Sequence, residues 1–418
     1  MRRVMGQTSP DPLAVHTFTA AGEEIAMGEP WVTDEERAAA GRQTVADRSR
    51  ELLDGNRRRA AEHHAAPQLP DGEDVVRVWF PRAPEALRAR LGADPLAVWA
   101  EDDVLHVLWC GQADWIRLSA GIQPILWPVE AADDLWEASL RIRNLQQAVI
   151  TITVMSTPTG AAPASQVVAS LTWRGPQAPA MRPREVGDLA GTIQEKVLSA
   201  GRFGGGRPVT VYRPPGYHHG RPLPGCVLAD GEATRGFAEV LEPAILDGSV
   251  PPLLLVGVHS GARTGAPRSD RRAQEYLPGW NRRRFEAHLD FVADEVIPWA
   301  TADLDARPAA WVAAGFSNGA AWAIAAGQRR PELFTGVVAF SAGIVPRRIA
   351  GRARAAGVRH YLAAGVLEPG FRRATLEWAA RLQRAGLPCH HREWVGGHDP
   401  LWWEQELPAA LAWLLAGR

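Results

Sequence analysis

The sequence predicts an α/β protein in which a small β-sandwich precedes a mostly parallel sheet with helices on both faces. Short alternating or apolar runs, separated by turn residues, fill residues 71–177 and are typical of antiparallel strands. From residue 189, near-continuous apolar runs alternate with helical patterns, as buried parallel strands and their crossover helices do. A chain of 418 residues is also too long for one ordinary domain.

Composition excludes several classes of function. Apolar residues make up 46% of the chain, charged residues 22%, and the formal net charge is −1, so nothing favours a nucleic-acid or acidic-membrane partner. No apolar run is long enough to span a membrane, and the first residues lack the apolar core of a signal peptide. The three cysteines lie far apart (Cys110, Cys226 and Cys389), which disfavours a disulfide framework or zinc site and favours buried thiols in the cytoplasm.

Residues 1–70 form a polar extension rich in Ala, Arg and Glu. One or two solvated helices are expected there, with Thr33 or Asp34 as a start signal, or else partial disorder.

Residues 71–177 are predicted to form the β-sandwich. Its strand candidates are VVRVWF, LAVWA, VLHVLWC, WIRLSA, LWEASLRI and AVITITVM. Its tryptophans are interpreted as core anchors, with a ligand surface as the alternative (Trp79, Trp99, Trp109, Trp115, Trp127 and Trp136). Residues 178–188, which are rich in Pro, Gly and Ala, are predicted to be an interdomain linker.

Residues 189–418 are predicted to form the larger α/β domain. The runs TIQEKVLSA and RPVTVYRP predict a leading hairpin. Six buried strands follow, each with a helix after it: GCVLAD, PPLLLVGVHS, AAWVAAGF, FTGVVAFSA, VRHYLAAG and CHHREWVG. Two antiparallel strands followed by such a run is the order of an α/β-hydrolase.

The stretch Gly315-Phe316-Ser317-Asn318-Gly319 lies between a predicted strand and a predicted helix. A G-x-S-x-G motif in that position is a nucleophile elbow, where a sharp turn projects the serine hydroxyl from the edge of the sheet. Glycines on either side let strand and helix approach closely, because they have no Cβ. Ser317 is therefore the predicted nucleophile, and an ordinary turn serine is the alternative.

A base and an acid follow Ser317 in the expected order. His398 lies in a Gly-rich loop after the last predicted strand, and Glu368 follows the strand before it. Asp399 is the rival acid, but neighbouring side chains rarely aim well at one another, so Glu368 is preferred. A solvated loop glutamate is the alternative for Glu368.

Two backbone N–H groups are needed to hold an oxyanion. Asn318, directly after the nucleophile, is predicted to supply one, and Gly231 or Glu232 in the loop after GCVLAD the other. His398 would take the Ser317 proton, Ser317 would attack an ester carbonyl, and water would resolve the acyl-enzyme. This chemistry needs no metal or organic cofactor.

The segment 259–284 is dense in arginine. It follows a strand at the edge where α/β sheets bind ligands, so two or three arginines are expected to face an anionic ligand, with Arg263, Arg271 and Arg272 as candidates. His259 is a candidate for the rim of the site. An exposed charged loop is the alternative reading of the segment.

The chain resembles the enterochelin (enterobactin) esterases within the esterase D group. The resemblance is carried by VTVYRPPGY, VLADGE, VGVHS, RRAQEYLPG, the elbow segment, LAAGVLEPGF and GGHDPLWW, and extends loosely over the β-rich part. It implies Ser317, Glu368 and His398 as the triad. An R-x-x-E-Y pattern falls on Arg272, Glu275 and Tyr276, with Arg272 near a catecholate and Glu275 as a further substrate-binding candidate. Ala229 and His259 depart from the family's pattern.

The resemblance implies an esterase that opens a ferric catecholate trilactone siderophore and releases iron in the cytoplasm. The small-molecule ester would be its partner, and the oligomeric state is open. Two alternatives remain: a serine hydrolase of the same fold that acts on another aromatic or natural-product ester, and a non-catalytic ligand-binding protein.

Overall fold

The structure, a computed structural model, describes residues 17–18, 24–25, 42–66, 68–157, 166–201, 205–262 and 270–416. It has a mixed α/β fold with two eight-stranded sheets. Strands β1 (Thr17–Phe18) and β2 (Glu24–Ile25) form a separate two-stranded pair. No helix within the described ranges is both long enough and apolar enough to cross a membrane.

The N-terminal sheet is antiparallel throughout. Its strands are β3 (Val75–Val78), β4 (Leu96–Glu101), β5 (Val104–Cys110), β6 (Trp115–Ser119), β7 (Ile125–Val129), β8 (Ala132–Ile142), β9 (Val149–Thr157) and β10 (Gln166–Arg174). Six of them match predicted runs. Two strands match no predicted run. Strand β7 contains Pro128, which interrupts the strand pattern, and β10 is a mostly exposed edge strand.

The predicted β-sandwich is corrected by the pairing of these strands. They form one connected sheet in the order β10-β9-β6-β7-β8-β5-β4, and β3 also pairs with β8. One edge of β8 pairs with β5, while the other is shared between β7 and β3. Strand β7 joins the two layers, because Ile125 and Leu126 pair with β6 whereas Trp127 and Pro128 pair with β8. The layers still face each other, because apolar residues of β5 and β8 share a core with those of β6 and β9.

Half of the predicted tryptophan anchors are buried in or beside this sheet: Trp109, Trp127 and Trp136. Trp115 is 39% exposed and does not fit a core role.

Helix α1 (Arg42–Ala65) lies against the N-terminal sheet rather than in solvent. Ala60 and Arg57 are buried. Arg141 of β8 donates hydrogen bonds to the carbonyls of His63 and Ala66, at 2.8 and 2.5 Å. The expected helix is thus present, with part of its surface packed on the sheet and part exposed to solvent, and the predicted starts, Thr33 and Asp34, lie outside the described residues.

The predicted linker, residues 178–188, has no regular structure but is held in place. The Arg184 guanidinium donates to Glu239 at 2.6 Å and to Glu404 at 2.7 Å, and the Arg182 amide donates to Gln405. It therefore follows a defined path across the helices that carry these partners.

The C-terminal sheet has the order β11-β12-β14-β13-β15-β16-β17-β18. Its strands are β11 (Thr192–Ala200), β12 (Gly205–Arg213), β13 (Leu223–Ala229), β14 (Leu254–Val258), β15 (Ala306–Phe316), β16 (Phe334–Phe340), β17 (Arg359–Gly365) and β18 (Cys389–Trp394). The pairs β11–β12 and β12–β14 are antiparallel, and the strands from β14 to β18 pair in parallel. The sheet is thus mixed, with the predicted leading hairpin at one edge.

Helices cover both faces of this sheet. After the short α2 (Pro84–Leu91) of the N-terminal part come α3 (Thr234–Leu246), α4 (Arg271–Tyr276), α5 (Arg282–Phe291), α6 (Ile297–Asp303), α7 (Asn318–Arg329), α8 (Gly351–Ala355), α9 (Pro369–Arg384) and α10 (Pro400–Leu415). One apolar core contains residues of α4 to α9, and a second, on the other face, contains residues of α3 and α10. Strand order places the carboxyl ends of β13, β15, β16, β17 and β18 along one edge, where the site is built.

Candidate active site

Ser317 occupies a strained turn between β15 and α7. Its φ of 55° and ψ of −125° are values that L-residues rarely adopt, and its amide donates to the Phe340 carbonyl at 2.9 Å. A Cβ on Gly315 would collide with the Gly319 carbonyl oxygen, so the strand and the helix meet only because Gly315 has no side chain.

The structure brings Ser317, His398 and Glu368 into one hydrogen-bonded chain. The Nε2 atom of His398 lies 3.0 Å from the Ser317 Oγ, and its Nδ1 atom lies 2.7 Å from the Glu368 Oε2. Both partner side chains are largely buried, with 14% of His398 and 4% of Glu368 exposed. A nucleophile, a base and an orienting acid need this geometry for acyl transfer.

Glu368 is oriented by a second set of hydrogen bonds. Its Oε1 accepts from the Gly365 amide at 2.7 Å and from the Ser341 hydroxyl at 2.6 Å. The Ser341 Oγ in turn accepts from the Trp403 indole N–H at 2.8 Å. With Oε1 held in this way, Oε2 is left facing His398.

Sequence reasoning missed Ser341 and Trp403. The one available signal for Ser341 was its position directly after an apolar strand, at the same edge as Ser317. Its φ of 54° and its complete burial mark it as a specialised position, but neither is readable from sequence.

Aromatic rings enclose the imidazole. The ring of Phe371 lies 4.2 Å from that of His398, and Trp403 meets His398 edge-on at 4.8 Å. Phe316, next to Ser317, stacks on Trp403 at 4.6 Å. These rings keep the imidazole from rotating away from Ser317 and exclude water from that side.

Asp399, the rival acid, makes different contacts. Its Oδ1 accepts from the Leu401 amide at 3.0 Å and caps α10, and its Oδ2 accepts from the Thr151 amide at 2.9 Å. It is 1% exposed, and burial raises the pKa of its carboxyl. The imidazole Nδ1 is hydrogen-bonded to the Glu368 carboxylate instead.

The candidate oxyanion donors lie beside the elbow. Asn318 opens α7, so its N–H is among the first amides of the helix, which have no acceptor within it. Gly231 and Glu232 begin a 3₁₀ turn after β13, the strand that pairs with β15. The Glu232 carboxylate accepts from both the amide and the hydroxyl of Ser260 at 2.9 Å, which anchors this turn.

Two predicted ligand residues point inward instead. Arg272 is buried and binds Asp230 with two hydrogen bonds, at 2.5 and 2.7 Å. Glu275 is fully buried and accepts from Arg207, from Arg284 and from the Gly261 amide. Arg272 thus braces the turn at Asp230, and Glu275 gathers neighbouring arginines. A contact of either side chain with a ligand stays a prediction from the sequence.

His259 does not turn toward Ser317. Its Nε2 lies 2.8 Å from the Thr210 hydroxyl on β12, whereas Ser317 follows β15, on the far side of β13. The expectation that it lines the rim is not met. Arg263 lies outside the described residues.

Arg271 is exposed and lines a surface pocket of about 220 Å³ at the carboxyl end of β14. Arg207, Arg284 and Ser260 line the same pocket, and the Ser260–Glu232 contact connects it to the turn beside the nucleophile. Three arginines line this pocket, and the carboxylate of Glu275 pairs with two of them, so the positive charges of the described lining outnumber that negative charge and favour an anion.

No group of three or more His, Cys, Asp or Glu side chains is arranged to hold a metal ion in the part of the chain that the structure describes.

Comparisons with known proteins agree with an ester hydrolase. Residues 200–364 match the family model described as "Putative esterase", a segment that includes the elbow and ends before Glu368. No curated protein matches the chain.

Solved structures give the closer comparison. The enterochelin esterase of Shigella flexneri aligns with a TM-score of 0.56 at 18% identity, over 80% of this chain and 98% of that one. The ferric enterobactin esterase of Salmonella typhimurium aligns with a TM-score of 0.58 at 16% identity, over 79% and 98%. The predicted resemblance to enterochelin esterases is confirmed: this chain has their fold, across both sheets.

Proposed function

We propose that the protein is a serine esterase in which Ser317 is the nucleophile, His398 the general base and Glu368 the residue that orients it. The observation that carries the proposal is the hydrogen-bonded chain from the strained Ser317 through His398 to Glu368. The backbone of Ser317 supports the proposal as well, because φ 55° combined with ψ −125° is a strained conformation of the kind that clusters at active sites.

In this mechanism His398 accepts the Ser317 proton on Nε2 as Oγ attacks the ester carbonyl. The Asn318 amide and an amide of the 231–232 turn hold the developing oxyanion, and Glu368 stabilises the imidazolium through Nδ1. His398 then protonates the leaving alcohol, and the acyl-enzyme forms. Water enters, gives its proton to His398 and releases the acid, which restores Ser317.

The substrate we propose is a ferric catecholate trilactone siderophore. The fold is shared with enterobactin esterases, one of which was solved in the presence of enterobactin. The arginine-lined pocket beside the 231–232 turn suits a bulky anion with planar groups, since guanidinium groups both pair with oxygen anions and stack on rings. A cytoplasmic site of iron release stays a prediction from the sequence.

Ester cleavage would release iron through loss of effective concentration. One trilactone scaffold tethers three chelating arms, so each arm that binds raises the local concentration of the next. Once the ester bonds are cut, the arms bind independently and iron is held far less tightly. The iron is part of the substrate and is not a group held by the protein.

The test supplies purified protein with ferric and iron-free tris-catecholate trilactone, with p-nitrophenyl acetate as a neutral ester, and follows products by mass spectrometry. We expect hydrolysis of the trilactone and its loss in Ser317→Ala, with trilactone binding retained. Ser249→Ala, at a surface turn after α3, is the control and should keep full activity. Turnover of the neutral ester alone would reject the siderophore substrate, and an active Ser317→Ala would reject the triad.

A further inference from the structure

The loop that carries His398 follows the last strand of the C-terminal sheet, but it is also hydrogen-bonded to the N-terminal sheet. Four hydrogen bonds join residues 395–402 to that sheet. They run from the Val149 amide to the Val395 carbonyl (3.1 Å), from the His398 amide to the Gly121 carbonyl (2.9 Å), from the Thr151 amide to Asp399 Oδ2 (2.9 Å), and from the Trp402 indole to the Val149 carbonyl (2.9 Å). One of them thus involves the backbone of the base itself.

Two glycines allow this close approach. Gly121 has a φ of 48° in the turn between β6 and β7, and a Cβ there would collide with the Thr151 carbonyl oxygen. A Cβ on Gly397 would collide with the Gly121 carbonyl oxygen, the group that accepts from His398. The loop that carries His398, the Gly121 turn and β9 are therefore in direct backbone contact. A methyl group at either glycine would force them apart.

The loop that carries Glu368 is anchored in the same sheet by apolar packing. Leu367, directly before Glu368, is 5% exposed and belongs to the core of the N-terminal sheet, where Val366 and Val395 also pack. The two loops are joined by a hydrogen bond of 3.0 Å from the Leu367 amide to the Gly396 carbonyl. The loops that carry Glu368 and His398 thus both contact the N-terminal sheet.

Ser317 is positioned differently. Its elbow is built from β15 and α7, and its amide binds the carbonyl of Phe340 on the neighbouring strand β16. The position of His398 relative to Ser317 therefore depends on how the N-terminal sheet packs against residues 366–367 and 395–402.

We infer that the N-terminal sheet is a working part of the active site: the Gly121 turn and β9 position His398 and Glu368 relative to Ser317. This inference rests on the proposed serine-esterase function. It assigns a positioning role to Gly121 and Asp399, neither of which acts on substrate. A displacement of reacting groups by about 1 Å lowers rates by about 100-fold, so small shifts of this contact become visible in kcat.

The first test is Gly121→Ala, assayed with p-nitrophenyl acetate. We expect kcat to fall about 10- to 100-fold. KM should be nearly unchanged, because Gly121 does not act on the substrate. Gly92→Ala is the matched control: Gly92 also has a positive φ, 60°, but a Cβ there meets nothing within 4 Å. Gly92→Ala also places an alanine at a positive φ in the same half of the chain, but without a collision, and its kcat should stay within twofold of wild type.

A spectroscopic readout separates positioning from stability. The proton between His398 Nδ1 and Glu368 Oε2 should give a downfield proton NMR signal in the wild type, which weakens or broadens in Gly121→Ala and persists in Gly92→Ala. A merely destabilised but correctly assembled site would keep this signal at temperatures well below the unfolding midpoint.

A second pair of variants covers the case in which Gly121→Ala does not fold. Asp399→Ala removes the bond to the Thr151 amide together with the α10 cap, and Asn281→Ala removes only a cap, that of α5. We expect kcat to fall at least tenfold in the first and less than twofold in the second. Gly121→Ala/Asp399→Ala should lose little more than the worse single variant, because both release the same loop.

The outcomes are distinct. An active wild type with an inactive Ser317→Ala supports the esterase, and equal kcat values in Gly121→Ala and Gly92→Ala would then overturn the positioning role alone. Equal losses in Asp399→Ala and Asn281→Ala would overturn it as well. If the wild type hydrolyses neither the acetate nor the trilactone, the proposed function itself fails.

Discussion

Ser341→Ala tests how the acid of the proposed triad is held in place. The substitution removes the hydroxyl that donates to Glu368 and accepts from Trp403. It keeps the Cβ, so the backbone cost of φ 54° is the same in both proteins and the hydroxyl is the only difference.

The expected magnitude follows from the two hydrogen bonds. A bond to a charged group contributes about 1.5–3 kcal/mol, and a buried donor left without an acceptor costs about 1–3 kcal/mol. Ser341 is fully buried, and the Trp403 side chain is nearly so, which keeps water from replacing the hydroxyl. We therefore expect the free energy of unfolding to fall by about 3 kcal/mol.

The effect on rate should be smaller, because Glu368 keeps the bond from the Gly365 amide. A tenfold lower kcat, equivalent to about 1.4 kcal/mol, is expected with an unchanged KM. Urea unfolding and steady-state hydrolysis of p-nitrophenyl acetate measure both quantities. A variant with wild-type kcat and wild-type stability would refute the idea that Ser341 orients Glu368.

Two further predictions concern charge. Arg271→Ala should raise KM for the anionic trilactone about tenfold, the loss of about one charge-assisted contact, and leave KM for p-nitrophenyl acetate unchanged. Arg282→Ala, exposed and outside the pocket lining, serves as control, and an equal change for both esters would contradict an anion-binding role. His288 is fully buried, and burial lowers its pKa from 6.5 to about 3. As the pH falls, His288 is therefore protonated in the unfolded chain before it is protonated in the folded protein, and this favours unfolding. The stability that depends on neutral His288 is fully present above about pH 6.5 and is lost as the pH falls toward 3. About 2 kcal/mol should be lost by pH 5 through this residue. Urea unfolding at pH 7 and pH 5 should show a smaller loss in His288→Phe, and identical losses would show that His288 does not contribute.

The R-x-x-E-Y segment shows that a sequence motif can be located without revealing the contacts of its side chains. Arg272, Glu275 and Tyr276 do lie near the site, but all three side chains are buried. Arg272 binds Asp230, and the Tyr276 hydroxyl accepts from the Asp230 amide at 2.8 Å. Their contacts brace the turn that carries the candidate oxyanion donors, and Arg207, which had no sequence signal, lines the anion pocket instead.

The sequence by itself determined the strand and helix order of the C-terminal part and the three residues proposed for catalysis. Both are local in origin: apolar periodicity marks buried strands, and a serine between glycines at a strand–helix junction marks the turn. Chain order then placed Glu368 and His398 at the same sheet edge as Ser317, because the carboxyl ends of parallel strands meet there.

Only the tertiary structure decided what surrounds those residues. The contacts of Ser341 with Glu368, of Asp230 with Arg272, and of Gly121 with His398 join positions 27, 42 and 277 residues apart (368 − 341, 272 − 230, 398 − 121). Such pairs arise from how layers pack, and no local pattern records them. For the same reason the N-terminal sheet reads from sequence as a separate sandwich, whereas in the folded protein its turns reach the base of the proposed triad.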